Sequence, residues 1–155
     1  MTASTKHKAL ADHAPIELER FLPYRLSILS NTISQTIADD YQHRFELPMT
    51  EWRVMAVLAR FPGLSAREVA ERTAMDKVAV SRAVAHLVEV GRVDRSIHPA
   101  DKRRSVLSLT PEGWTIHDAV APMARARERE VLERLDLVER AWLTRILDKL
   151  EPAGA

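Results

Sequence analysis

The sequence predicts a mainly α-helical chain carrying one small antiparallel β-hairpin. Three observations predict it. Glycine is scarce, with four in 155 residues, aromatics make up only 5%, and leucine, valine and alanine recur at helical spacing over most of the length. The stretch 92–109 alone switches to short, β-branched, alternating segments. Just before it, two helical segments with capping residues are separated only by Ala74, Met75 and Asp76, the length of a helix-turn-helix connection.

Residues 1–14 are polar and unpatterned and are expected to form a mobile arm, leaving one domain over 15–155. Leu18, Leu22, Leu26, Leu29, Ile33, Ile37 and Phe45 then recur on one face of a long helix. Proline lacks the backbone N–H that a helix interior needs, so that helix is expected to begin near Pro23, with a separate turn over 16–21. Leu47-Pro48-Met49 ends it. Thr50 is read as the cap of a second helix over 51–60, which Phe61-Pro62-Gly63 terminates. Ser65 with Glu68 spells a capping box for a short helix to Thr73. Asp76 caps the next helix, from Lys77 to Val90, and Gly91 stops it. Strands are expected over 92–97 and 105–109, with Pro99 and the cation run in the loop between them. Thr110-Pro111 opens a helix to about Leu135 with an expected kink at Pro122, and a last helix runs from Val138 to Leu150. Its stripe is Leu143, Ile146, Leu147 and Leu150, with Trp142 beside it.

Composition narrows the function classes. Cysteine is absent, which excludes disulfides, thiolate metal sites, cysteine nucleophiles and thiol-based redox switching. No apolar run approaches the roughly 20 residues that span a bilayer, and the start lacks the apolar core of a signal peptide, so no membrane partner and a cytoplasmic location are expected. A glycine-rich phosphate loop, a cysteine nucleophile, metal-ligand spacing and a carboxylate pair that sequence alone would bring together are all missing, so no enzyme, metal or cofactor is expected.

The net charge of +1 is uninformative, but its distribution is not. Residues 77–104 hold seven cations against three acids, a balance of +4, while the rest of the chain holds sixteen against nineteen, −3. A local basic face on a nearly neutral chain is the asymmetry of a nucleic-acid reader. On the helix from Lys77, Val80, Val84, Leu87 and Gly91 share an inward face. The opposite face carries Lys77, Ser81, Arg82, Ala85 and His86. One stripe anchored in a core and one free to enter a groove about 12 Å wide is what recognition of double-stranded DNA requires. Arg82 suits a bidentate guanine contact or a phosphate clamp, Ser81 and His86 suit base edges or phosphate oxygens, and Lys77 suits the backbone. In the hairpin, Asp101 can hold an arginine stem and shape the tip, while Lys102, Arg103 and Arg104 supply charge for phosphates or a narrow minor groove.

These elements resemble the MarR family of winged helix-turn-helix transcriptional regulators. The resemblance is carried by Leu47-Pro48-Met49-Thr50-Glu51-Trp52-Arg53-Val54, by Leu64-Ser65-Ala66-Arg67-Glu68-Val69-Ala70 and by Ser81-Arg82. It continues through Leu87-Val88-Glu89-Val90-Gly91-Arg92-Val93, Asp101-Lys102-Arg103 and Leu109-Thr110-Pro111-Glu112-Gly113. It implies a winged helix-turn-helix core over about 48–110, flanked by dimerisation helices over about 16–46 and 111–150. It also implies that 77–86 is the recognition helix, that Asp101 and Arg103 are paired wing residues with Arg104 an added cation, and that the partners are duplex DNA and a second copy of the chain. The apolar stripe of the last helix supports a homodimer independently, since a patch of that size in a small chain usually meets a partner.

The function expected is a repressor released from a pseudo-palindromic operator by a small aromatic or carboxylic effector. The family's pocket lies between the first helix, the helix over 51–60 and the wing-bearing core. Tyr24, Ser27, Asn31, His43 and Trp52 are the candidate polar or aromatic lining, with Arg25 or Arg53 as the cation for a carboxylate. The competing class is a winged-helix module for protein interaction with no operator. It predicts acidic or bulky apolar groups on the outer face of the 77–90 helix, where small and basic residues stand instead.

Overall fold

Seventeen apolar side chains between Ala38 and Val120 pack into one core, and their spacing along the chain explains each element that supplies them. The computed structural model describes residues 14–98 and 100–151, without the side chains of His98 and Asp101–Arg104. The expected arm over 1–14 lies outside the described residues, except for Ala14. The chain divides into two units, Met1–Thr32 and Ile33–Ala155.

In the first unit, a turn is closed by the Arg20 N–H donating to the Glu17 carbonyl at 3.0 Å. Helix α1 (Leu22–Phe45) then begins with Pro23 in its first turn, where the missing N–H has no intrahelical partner to lose. The helix starts there as expected.

The second unit holds the rest. Helix α1 buries Ala38 and Tyr41 and ends where Glu46 takes a left-handed conformation, φ 46°. Helix α2 (Met49–Arg60) corrects the expected start, because Thr50 is inside the helix and caps nothing. The cap position belongs to Pro48, whose ring fixes φ at −59° and whose carbonyl accepts the first helical bond, from the Trp52 N–H at 3.0 Å. Helix α3 (Ala66–Thr73) opens on the expected capping box, with the Ser65 N–H donating to Glu68 Oε2 at 2.8 Å and the Glu68 N–H to Ser65 Oγ at 3.3 Å. Its connection to helix α4 (Lys77–Glu89) turns through Ala74, a non-glycine at φ 50°. Asp76 Oδ1 accepts from the Val78 and Ala79 N–H groups, each at 3.0 Å, and Gly91 at φ +73° ends the helix.

Strands β1 (Val93–His98) and β2 (Asp101–Leu109) pair antiparallel, from Val93 opposite Leu109 to Ile97 opposite Ser105. The expected loop is too long. After a register shift between Ile97 and His98, His98 pairs with Asp101, so the backbone of Lys102, Arg103 and Arg104 belongs to β2. The three cations fall within the register shift, opposite no residue of β1, and a bulge of that kind carries no apolar alternation to read from the sequence. Leu64 adds a bridge to Leu107, the Leu107 N–H donating to the Leu64 carbonyl at 2.8 Å and the Gly63 N–H to the Leu107 carbonyl at 2.9 Å.

Helix α5 (Pro111–Leu132) is capped by Thr110, whose Oγ1 accepts from the Gly113 N–H at 3.0 Å, and the helical run continues through Pro122. Helix α6 (Leu137–Leu150) starts on a second capping box, Asp136 with Glu139, and buries none of its residues. Among the described residues, no helix is long and apolar enough to cross a membrane.

Candidate nucleic-acid interface

Helix α4 is held by its apolar side. Val80, Ala83, Val84 and Leu87 are buried, and the helix packs against α2, α3 and β1. Lys77, Ser81, Arg82, Ala85 and His86 are all exposed on the other side. Among the described residues, no side-chain partner holds Lys77, Ser81 or Arg82, so their donors remain open to a ligand. Val78, an apolar residue that charge patterning does not single out, is 56% exposed beside Lys77. A methyl-bearing side chain at that point suits the 5-methyl group of thymine.

His86 departs from the expected free reader. Its Nδ1 lies 2.8 Å from Oε1 of Glu51, which reaches it from the first turn of α2. Glu51 is only 6% exposed, and its Oε2 has no hydrogen-bond partner among the described residues. This carboxylate was missed because its partner is 35 residues away in sequence.

The basic segment loses one cation to structure. Arg92 donates from Nη2 to the Phe45 carbonyl at 2.6 Å and from Nη1 to the Glu46 carbonyl at 3.2 Å, closing the C-terminal end of α1. Arg95 is exposed on β1. Asp101, Lys102, Arg103 and Arg104 stand in β2 next to the turn of the hairpin, while their side chains are outside the described residues.

The effector candidates separate. Tyr24, Arg25, Ser27 and Asn31 are exposed residues of the Met1–Thr32 unit. His43 is exposed in the last turn of α1. Trp52 and Arg53 are half-buried in a cluster of the second unit. Trp52 stacks on His117 at 5.7 Å between ring centres and tilts against Tyr41 at 5.8 Å, and Trp114 meets His117 edge-on at 5.3 Å. Arg53 donates to Ser34 Oγ at 2.9 Å. Tyr41 is buried, and its hydroxyl lacks a hydrogen-bond partner among the described residues. Burial pushes its pKa up to about 12, against a smaller opposing pull from the charge of Arg53, so it remains a neutral donor. The periodicity held a signal for Tyr41, four residues after Ile37 on the same stripe. Among the described residues, no three His, Asp or Glu side chains gather as metal ligands. A separate open groove is lined by Glu68, Glu71 and Glu151 with Arg72, whose guanidinium sits 4.1 Å over the Phe61 ring. Its acidic lining does not suit an anion.

A capped helix-turn-helix with a β-hairpin against it and a basic, unpaired stripe on its second helix defines a winged-helix regulator. The chain belongs to the MarR family, whose model matches residues 45–104. It is 30% identical over 111 residues to the transcriptional regulator HosA of Escherichia coli O111:H-, covering 71% of this chain and 82% of HosA. It is 27% identical over 142 residues to the HTH-type transcriptional repressor Rv2887 of Mycobacterium tuberculosis, covering 91% and 96%. A MarR/EmrR family transcriptional regulator from Acinetobacter sp. ADP1 superposes with a TM-score of 0.78 at 30% identity, covering 87% of this chain and 95% of that one. The same fold recurs at lower identity in two complexes. One is a MarR mutant from E. coli with operator DNA (TM-score 0.74, 22% identity, 90% and 100% covered). The other is PcaV from Streptomyces coelicolor with its natural ligand (TM-score 0.72, 23% identity, 89% and 96% covered). This protein is therefore a transcriptional regulator of the MarR family.

Proposed function

We propose that this regulator is a cytoplasmic homodimeric repressor that binds a pseudo-palindromic duplex and leaves it when a small aromatic or carboxylic effector binds. The observation that carries the reading is the unpaired stripe Lys77, Ser81 and Arg82, presented by a helix whose other side is locked in the core. Such a helix enters the major groove without reorganising, while Arg103 and Arg104 of the wing reach a flanking groove or its phosphates. The operator complex of the MarR mutant and the repressor assignment of Rv2887 support the same use of the fold.

The reading of a homodimer is supported by α6. With no buried residue and with Trp142, Leu143, Ile146, Leu147 and Leu150 exposed, it carries an apolar face that a twofold partner would cover. Two recognition helices then meet half-sites one helical turn, roughly 10 bp, apart. For the effector, the Trp52–Tyr41–His117 cluster offers flat apolar surface, a neutral hydroxyl donor and the Arg53 cation, the set an aromatic acid needs. The ligand complex of PcaV is consistent with such a response.

The test is selection from a random duplex pool, followed by binding measurements at two salt concentrations. A twofold-symmetric consensus is expected, with affinity falling steeply as salt rises because phosphate contacts release counterions. A pool that shows no enrichment over its starting composition would refute the reading.

A further inference from the structure

The Glu51–His86 pair joins a buried carboxylate to the outer face of the recognition helix, and its geometry fixes which ring nitrogen is engaged. Glu51 is in the first turn of α2, where the helix dipole and open N–H groups favour an anion. His86 is in the last turn of α4, where the carbonyl ends favour a cation. Glu51 is almost wholly buried, and among the described residues one of its oxygens lacks a partner, so the contact at 2.8 Å with His86 Nδ1 supplies part of what burial takes from the carboxylate. A carboxylate only accepts, so Nδ1 carries the proton. The other ring nitrogen, Nε2, is then the atom that decides what His86 offers to DNA.

The other charged groups on α4 and on the elements packed against it are engaged elsewhere or exposed. On α4 itself, Arg82 lies one turn before His86 and Glu89 three residues after it, with opposite effects. From α2, Arg53 is engaged with Ser34, and Arg60 lies over the Phe61 ring. From α3, Arg67 pairs with Glu71, Glu68 closes its capping box and Arg72 covers Phe61. From β1, Asp94 and Arg95 are exposed.

We propose that Glu51 is a positioning residue that holds the His86 ring by Nδ1 and leaves Nε2 to DNA, making part of the DNA affinity depend on the proton at Nε2. Charged, His86 donates from Nε2 to a phosphate oxygen or to guanine N7 or O6. Neutral with Nδ1 protonated, the same Nε2 is an acceptor facing acceptors, and the contact is lost. Affinity therefore rises as pH falls. This rests on the DNA-binding reading, and it assigns a role to a buried carboxylate that the reading leaves unused.

The experiment measures anisotropy of a fluorescein-labelled duplex recovered by selection, and of a random duplex of equal length, across about pH 5 to 8, the interval in which histidine changes charge, at fixed ionic strength. Wild type is expected to bind the selected duplex at least about fivefold more tightly at the acid end. His86→Gln should lose that increment while still folding, and Glu51→Gln should shrink it. In the free protein, imidazole ¹⁵N shifts should show His86 protonated at Nδ1 throughout and moved towards the Nε2–H tautomer in Glu51→Gln. Equal pH slopes for wild type and His86→Gln, or an unchanged ¹⁵N titration in Glu51→Gln, would overturn the proposal. If wild type binds no duplex at any pH, the DNA reading fails and the gate with it, while the ¹⁵N titration still decides whether Glu51 controls the ring.

Discussion

Gly113 shows how one residue ties the wing to the helix that follows it. A Cβ there would press into the Arg92 carbonyl oxygen, which already accepts the Thr110 N–H at 3.1 Å. Gly113→Ala must therefore move the start of α5 or of β1, and a loss of about 2–3 kcal/mol in denaturant unfolding is expected. Gly91→Ala has open space around the new methyl and suffers only from φ +73°, so about 1 kcal/mol is expected. Asp40 shows a charge effect. The Arg127 guanidinium grips it through Nε and Nη2, both at 2.7 Å, and holds its carboxyl below the ordinary value of 3.8. A depressed carboxylate pKa adds stability above the unfolded-state value, and that stability is lost as pH falls through the folded-state value. Asp40→Asn should lower Tm at neutral pH and flatten the acid limb of a Tm–pH curve. A parallel acid limb in the variant would assign it to other carboxylates.

The helix-turn-helix and the wing make separable predictions about DNA. Arg82→Ala removes a cation without side-chain partners among the described residues, so stability should be unchanged within about 0.5 kcal/mol. Binding should weaken by about 1–3 kcal/mol if the guanidinium reads a base. Arg103→Ala and Arg104→Ala are each expected to cost about the same where they make groove contacts, and to reduce the salt slope where they meet phosphates. Competition binding at several salt concentrations separates these outcomes, and unchanged affinity in both wing variants would remove the wing from recognition. The elements themselves were largely legible, since Ser65 with Glu68, Asp76, Gly91 and Thr110-Pro111 are local devices whose partners lie within four residues. Thr50 misled for a related reason. A threonine is a good cap only where the chain is extended, and Pro48 had already started the helix.

For the whole molecule, the exposed face of α6 is one apolar surface that a single chain leaves uncovered, and the apolar side chains from Ile16 to Leu29 are another. Ile146→Glu places a charge in the middle of the α6 face and is expected to yield monomers in sedimentation or light scattering, with weakened binding to a two-half-site duplex. Persistence of a dimer would move the interface elsewhere. Tyr41 gives a matching test of the effector. Its unpaired hydroxyl gains nothing in the free protein, so Tyr41→Phe should be neutral or slightly stabilising, while any aromatic acid that accepts from it should raise Tm less in the variant.

Sequence alone determined the helices, the hairpin, the inward stripe of α4 and the outward basic one, because periodicity and capping act over a few residues. Tertiary structure decided what depends on distant partners. It took Arg92 away to cap α1 and gathered Tyr41 and His117 around Trp52. It also turned His86 from a free side chain into one half of a pair with Glu51. Each of those outcomes satisfies a buried or terminal polar group, or covers an aromatic face, using atoms far away in sequence. No local pattern records them.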